Sequence, residues 1–185
     1  MKRFTAVAVL ALVTQAWCQQ QTKPAPAQPE TQKAAQADPA DVRSLDAIVH
    51  ALYDVISGPA GQPRNWDRFR SLFHPQARMI PVGKRPVDAK TGARVLTADD
   101  YIQSVGPYFE KNSFFEREVA DKREQFAHIA HVFSTYESRH AKDEKPFQRG
   151  INSFQLYNDG ARWWIMNVMW DAETPENPIP EKYLK

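Results

Sequence analysis

The chain has 185 residues, 42% of them hydrophobic and 25% charged, with a formal net charge of +2. That size and balance fit one globular domain of ordinary size. Its only cysteine, Cys18, sits near the N-terminus, so the body beyond it has no internal disulfide and no thiol nucleophile.

Lys2 and Arg3 form a positive start, and the apolar run from Phe4 to Val13 has signal-peptide length, too short to span a bilayer. Thr14-Gln15-Ala16 and Ala16-Trp17-Cys18 both satisfy the small-residue rule for cleavage. Residues 1–18 are therefore expected to be a leader that exports the chain, to a periplasm or outside the cell, with no transmembrane segment. Cys18 stands where a lipoprotein cysteine would, but the bulky Trp17 before it favours plain secretion over a lipid anchor. A Gln/Ala/Pro tract follows, without apolar period or aromatics, and residues 19–40 are expected to be a disordered linker. Residues 1–37 hold Lys2, Arg3, Lys23 and Lys33 against Glu30 alone, a surplus of +3 that leaves the rest at −1. With no net basic bias and no Lys/Arg stripe, nucleic acid is excluded as a partner.

Residues 41–172 are expected to be the folded domain, and 173–185 an irregular Pro/Glu-rich tail. Ser44 caps an amphipathic helix in which Leu45, Ile48, Val49, Leu52, Val55 and Ile56 recur at spacings of three and four; Gly58-Pro59 stops it. Asn65 caps a short helix to Phe73. Ala77 to Val82 reads as a short strand, placed at an edge or end by Pro81. Gly83 to Arg94 reads as a loop or irregular hairpin. Thr97 caps a third helix, Ala98 to Lys111, in which Gly106-Pro107 invites a kink. Alternation then replaces the helical period: strands over 113–126 and 127–139, a charged loop over 140–145, and two strands flanking Asn158-Asp159-Gly160, a strong hairpin signal. Helices followed by four long antiparallel strands mean α+β.

Three stretches carry a resemblance: Leu72-Phe73-His74-Pro75-Gln76-Ala77, the run Ile129 to Glu137, and Asp159-Gly160-Ala161-Arg162-Trp163-Trp164-Ile165. They resemble the nuclear-transport-factor-2-like superfamily, close to its SnoaL-like members, over roughly residues 45–171. The resemblance implies a cone, a strongly bent antiparallel sheet wrapped around the N-terminal helices with a pocket at its open end. Relatives of this shape include isomerases, dehydratases and cyclases, and many proteins that only bind or dimerise.

With Asp159-Gly160 as a two-residue turn, Leu156 pairs with Trp163, Phe154 with Ile165, Asn152 with Asn167 and Gly150 with Met169. That register predicts a pocket floor of Asn152, Phe154, Trp163, Ile165, Asn167 and Met169 for a small apolar molecule. It turns Trp164, Met166, Val168 and Trp170 outward, as a homodimer face. In the strand before, His128, Ala130, Val132, Ser134 and Tyr136 are assigned inward. The candidate catalytic groups are His128 or His50 as base and Tyr136 or Tyr53 as proton donor. Glu116 and Glu118 share a face and could hold a shifted proton, but with Arg117, Lys122 and Arg123 nearby they read better as a solvated edge strand. His128 and His131 point to opposite faces, wrong for one metal ion. No metal, cofactor, phosphate loop or nucleophile elbow is expected. The leading expectation is an exported domain that binds a small apolar ligand in its cone. The alternatives are a cofactor-independent isomerase or dehydratase, and a purely structural module.

Overall fold

A computed structural model describes residues 36–84 and 87–185. The expected leader with Cys18, and the linker up to residue 35, lie outside the described residues. The elements are helices α1 (Pro39–Val42), α2 (Leu45–Ile56) and α3 (Trp66–Leu72), strands β1 (Phe73–Lys84) and β2 (Thr91–Ala93), helix α4 (Ala98–Lys111), strands β3 (Phe115–Phe126), β4 (Ile129–Arg139), β5 (Gln148–Asn158) and β6 (Trp163–Ala172), and a 3₁₀ turn at Glu181–Tyr183. Within the stretch assigned to the linker, Asp38 accepts the Ala40 N–H at 2.8 Å and opens α1. No helix among the described residues is long and apolar enough to cross a membrane.

The helix starts are set by the expected caps. Ser44 Oγ accepts the Ala47 N–H at 3.1 Å, Asn65 Oδ1 accepts that of Arg68 at 2.9 Å, and Thr97 and Asp100 form a reciprocal capping box. Each cap satisfies an N–H that the helix cannot, and is worth about 1 kcal/mol. Helix α4 runs through Pro107 to Lys111. Pro107 and Gln103, whose carbonyl loses its partner, both lie on the exposed side, where water substitutes.

The sheet has six strands in the order β2-β1-β6-β5-β4-β3, antiparallel throughout except that β1 runs parallel to β6. Strand β1 is longer than expected and second from the edge. Pro81 is tolerated because its carbonyl accepts the Arg94 N–H on the side of the three-residue β2. The donor it lacks would point the same way, away from β6. Helix α2 fills the concave side, burying Ile48, Val49, Leu52, Tyr53, Val55 and Ile56 against Ala130, Val132, Phe154, Leu156, Ile165 and Val168. Each such side chain contributes about 1.5–3 kcal/mol by leaving water.

The last hairpin departs from the expected register. Asp159 N–H donates to Arg162 C=O at 3.1 Å, so four residues, not two, make the turn. Asp159 Oδ1 also accepts the N–H groups of Ala161 and Arg162, which fixes the wider loop. Leu156 therefore pairs with Ile165 and Asn158 with Trp163. Past Leu156 the register shifts again, and Met166 has no opposite number between Leu156–Ile165 and Gln155–Asn167. This bulge exchanges faces for the rest of β6. Val168 and Trp170 turn inward; Asn167 and Met169 turn to the convex side with Gln155 and Ser153. In β4 the inward set includes Ala130, Val132, Ser134 and Tyr136, all buried.

The tail crosses the convex face. Arg149 pairs with both oxygens of Glu173 at 2.8 and 3.0 Å, the Tyr183 ring lies 4.9 Å from Phe133, and Thr135 Oγ1 donates to the Tyr183 carbonyl. Thr135 is thereby fully buried on the outside of the sheet.

Candidate functional site

Strand β3 is an edge strand, and two inward glutamates organise the space between it and α2. Glu116 and Glu118 lie opposite Ser138 and Tyr136 of β4. Val119 then has no partner, and beyond this bulge Asp121 and Arg123 take the inward positions opposite Ser134 and Val132. One extra residue thus places four charged side chains on the concave side.

Two cavities meet there. A cleft of about 660 Å³ runs between α2 and β3, bordered by Asp46, His50, Tyr53, Glu116, Glu118 and Arg123. A smaller chamber of about 210 Å³ lies deeper in the cone, walled by Leu52, Tyr101, Val105, Phe109, Val168 and Trp170, with Tyr136 and Asn152 on its wall. Glu116 lines both.

The two carboxylates are tied into one network. Ser138 Oγ donates to Glu116 Oε2 at 2.7 Å, and the Asn152 amide also favours the charged carboxylate. Asn152 Nδ2 donates to Tyr53 Oη at 2.9 Å, Tyr53 lies 2.7 Å from Ser134 Oγ, and Ser134 donates to Glu118 Oε2. An amide nitrogen only donates and an ionised carboxylate only accepts, so the direction is fixed: Asn152 to Tyr53 to Ser134 to Glu118. Protonating Glu118 would let its bond with Ser134 run in either direction. At the outer end Arg123 bridges Asp46, Glu118 and Asp121, joining the start of α2 to β3.

Burial pushes the Glu116 carboxyl up to about 7, although Ser138 and Asn152 favour its charged form. Burial also raises Glu118 to about 7; Ser134 and Arg123 oppose this and Asp121 adds to it. Tyr53, Tyr101 and Tyr136 are all raised, first by burial and next by the charge of Glu116, so all three remain neutral phenols at neutral pH. Tyr136 is 3% exposed, and no described residue hydrogen-bonds its hydroxyl. Its ring lies across Gly150, where a Cβ would sit 2.5 Å from Tyr136 Oη and collide with the Asp171 carbonyl. Gly150→Ala is therefore expected to drive the phenol into the chamber and destabilise the fold by about 1–3 kcal/mol, read by urea melts.

The expected site residues are dispersed. Tyr53 is the centre of the network and Tyr136 lines the inner chamber. His50 is exposed on the border of the outer cleft. His128 is exposed in the β3–β4 turn and borders neither cavity. Of the expected pocket floor only Asn152 borders the inner chamber. Phe154, Trp163 and Ile165 pack in the core, and Asn167 and Met169 are on the convex face because of the Met166 bulge. The same bulge takes Val168 and Trp170 out of the expected dimer face. The solvated-edge reading of Glu116 and Glu118 is likewise corrected. Their signal was the spacing of charges at 116, 118, 121 and 123, a period of two with one residue inserted. Among the described residues no group of three or more His, Cys, Asp or Glu could hold a metal.

No family model matches the chain, and no curated protein does. Among solved structures, a protein of unknown function with a cystatin-like fold from Nostoc punctiforme PCC 73102 matches at a TM-score of 0.51 and 6% identity, over 68% of this chain and 85% of that one. An uncharacterised protein with a cystatin-like fold from Caulobacter vibrioides matches at 0.51 and 11%, over 72% and 90%. An NTF-2 like protein of unknown function from Silicibacter pomeroyi DSS-3 scores 0.45 at 13% identity, over 71% and 94%. At these identities the likeness bears on the fold alone, and the fold is the cystatin-like one, a mostly antiparallel sheet curled around a helix.

Proposed function

We propose that this domain binds a small, mainly apolar molecule in the inner chamber and moves a proton on it through Glu116, without a cofactor. The observation that carries the reading is the position of Glu116. Its carboxyl borders both cavities and titrates near neutral pH, where one group can both take and return a proton. Tyr136 supplies a neutral, unpartnered hydroxyl in the same chamber, suited to a developing negative charge on a substrate oxygen. Proton abstraction beside a carbonyl is the reaction class these two groups suit. The Tyr53 network holds its neighbour Asn152 in place. Export from the cytoplasm fits the composition of the N-terminus, and a second copy would pair through the convex face, with Trp164 and Met169 rather than Val168 and Trp170.

The test is exchange of the α-protons of a small aryl ketone, 2-tetralone, in D₂O, followed by proton NMR. Glu116→Gln is expected to lower the enzyme-dependent exchange by about 100-fold or more, and Tyr136→Phe by about 100-fold. Equal exchange in the wild type and in Glu116→Gln removes the proton-transfer role. Saturable binding of the ketone without exchange leaves a binding protein.

A further inference from the structure

We propose that the ligand of this site is an anionic amphiphile, with an apolar body in the inner chamber and a single carboxylate-like group held at the cleft border by Arg117, Arg139 and Lys142. The inference rests on the reading that the inner chamber takes a small molecule, and it adds the charge of that molecule.

The cleft is open along the unpaired edge of β3, so side chains from the other face of that strand reach its border. Phe115 and Arg117 do so, with Glu137, Arg139 and Lys142 beside them. The charges of the cleft are not evenly matched. At one end the acids outnumber the cations: Arg123 alone bridges Asp46, Glu118 and Asp121, and Arg68 reaches Asp54. At the other end a single carboxylate stands among three cations. Arg117 and Arg139 both bond the same oxygen, Glu137 Oε1, at 2.8 and 2.9 Å. Lys142 has no acid partner among the described residues; its ammonium lies 5.8 Å from the Phe115 ring. The surplus of positive charge is thus confined to one end of the cleft, beside an aromatic ring.

The two cavities adjoin at Glu116, which lines both, so a molecule in the inner chamber reaches the border of the cleft at that residue. A neutral apolar ligand would use the inner chamber and leave the cationic border idle. An anionic group there would meet two guanidinium groups and an ammonium, in an open groove where neither side is fully desolvated. Glu116 does not repel such a molecule, because near neutral pH it carries a proton much of the time.

The experiment is calorimetric titration of the purified full chain with a matched pair, naphthalene-2-carboxylate and naphthalene-2-carboxamide. At low salt the carboxylate is expected to bind about tenfold more tightly than the amide, and about 0.5 M salt should erase most of that difference. The double variant R117Q/K142Q changes two exposed side chains. It should bring the ratio close to one and leave the affinity for the amide unchanged. A carboxylate that binds no more tightly than the amide, or that keeps its advantage in the double variant, overturns the anionic assignment and leaves the apolar chamber standing. Failure of the wild type to bind either compound overturns both.

Discussion

Glu116→Gln is expected to make the protein more stable above pH 7 and to flatten its stability between pH 4.5 and 7. The folded carboxyl titrates near 7, against an ordinary value of 4.5. Below 4.5 the group is protonated in both states, and its contribution is fully present. As the pH rises, the unfolded chain releases its proton first, and the folded state loses relative stability until the folded pKa is passed. With discounting for partial exposure, the loss is roughly 1–2 kcal/mol. Glutamine mimics the neutral acid and still accepts from Ser138, so it avoids this loss. Glu118→Gln acts in the same direction but less, because Arg123 then loses a partner. Asp41, Asp159 and Glu173 work oppositely. Arg68, Trp164 and Arg149 respectively hold their carboxyls low, so their stabilisation is present above the ordinary carboxylate range and lost as the pH falls. Urea melts of wild type and variant across this range measure the difference. An unchanged slope would show that Glu116 is solvated. A site that costs stability for the sake of chemistry is the usual trade.

Arg64→Met should be the more damaging change. Arg64 is 7% exposed, and its guanidinium closes the end of α2. It donates to the carbonyls of Ile56 at 2.9 Å, Gly58 at 2.7 Å, Gln62 at 2.8 Å and Pro59 at 3.3 Å, and lies 5.2 Å from the Phe109 ring. Methionine fills the space and leaves these acceptors bare, a cost of about 3 kcal/mol. Lysine should rescue little, because one ammonium cannot span the fork. The effect reaches the site through Ser57, whose hydroxyl accepts the Glu116 N–H at 2.9 Å and donates to the Tyr53 carbonyl at 2.7 Å. Hydrogen exchange should therefore quicken at 57–64 and at 114–116 together. Faster exchange at 57–64 alone would uncouple the loop from the strand.

The helices were legible because their signals are local. Ser44, Asn65 and Thr97 each sit one residue before an apolar period and act within a single turn. Strand β4 was legible for a similar reason: Ala130, Val132, Ser134 and Tyr136 alternate without interruption. The site was not, because both of its decisive features are single unpaired residues. Val119 brings Asp121 and Arg123 to the side of Glu116 and Glu118, and Met166 exchanges Asn167 and Met169 for Val168 and Trp170. Neither residue type marks a bulge. Glu116 was misjudged for a different reason. Its surroundings come from Ser57, Ser138 and Asn152, which lie 59, 22 and 36 positions away in the chain, and a charged strand reads as solvated until those neighbours are known.

The bulge at Met166 gives the end of the sheet something like a reading frame. Deleting that one residue would move every side chain from Asn167 to Ala172 to the opposite side. An amide would enter the apolar chamber, and Trp170 would leave it. The length of this strand, besides the identity of its buried residues, sets which side chains form the wall of the cone. Substitutions there can accumulate singly, whereas an insertion or deletion would need a second one nearby to restore the wall of the cone.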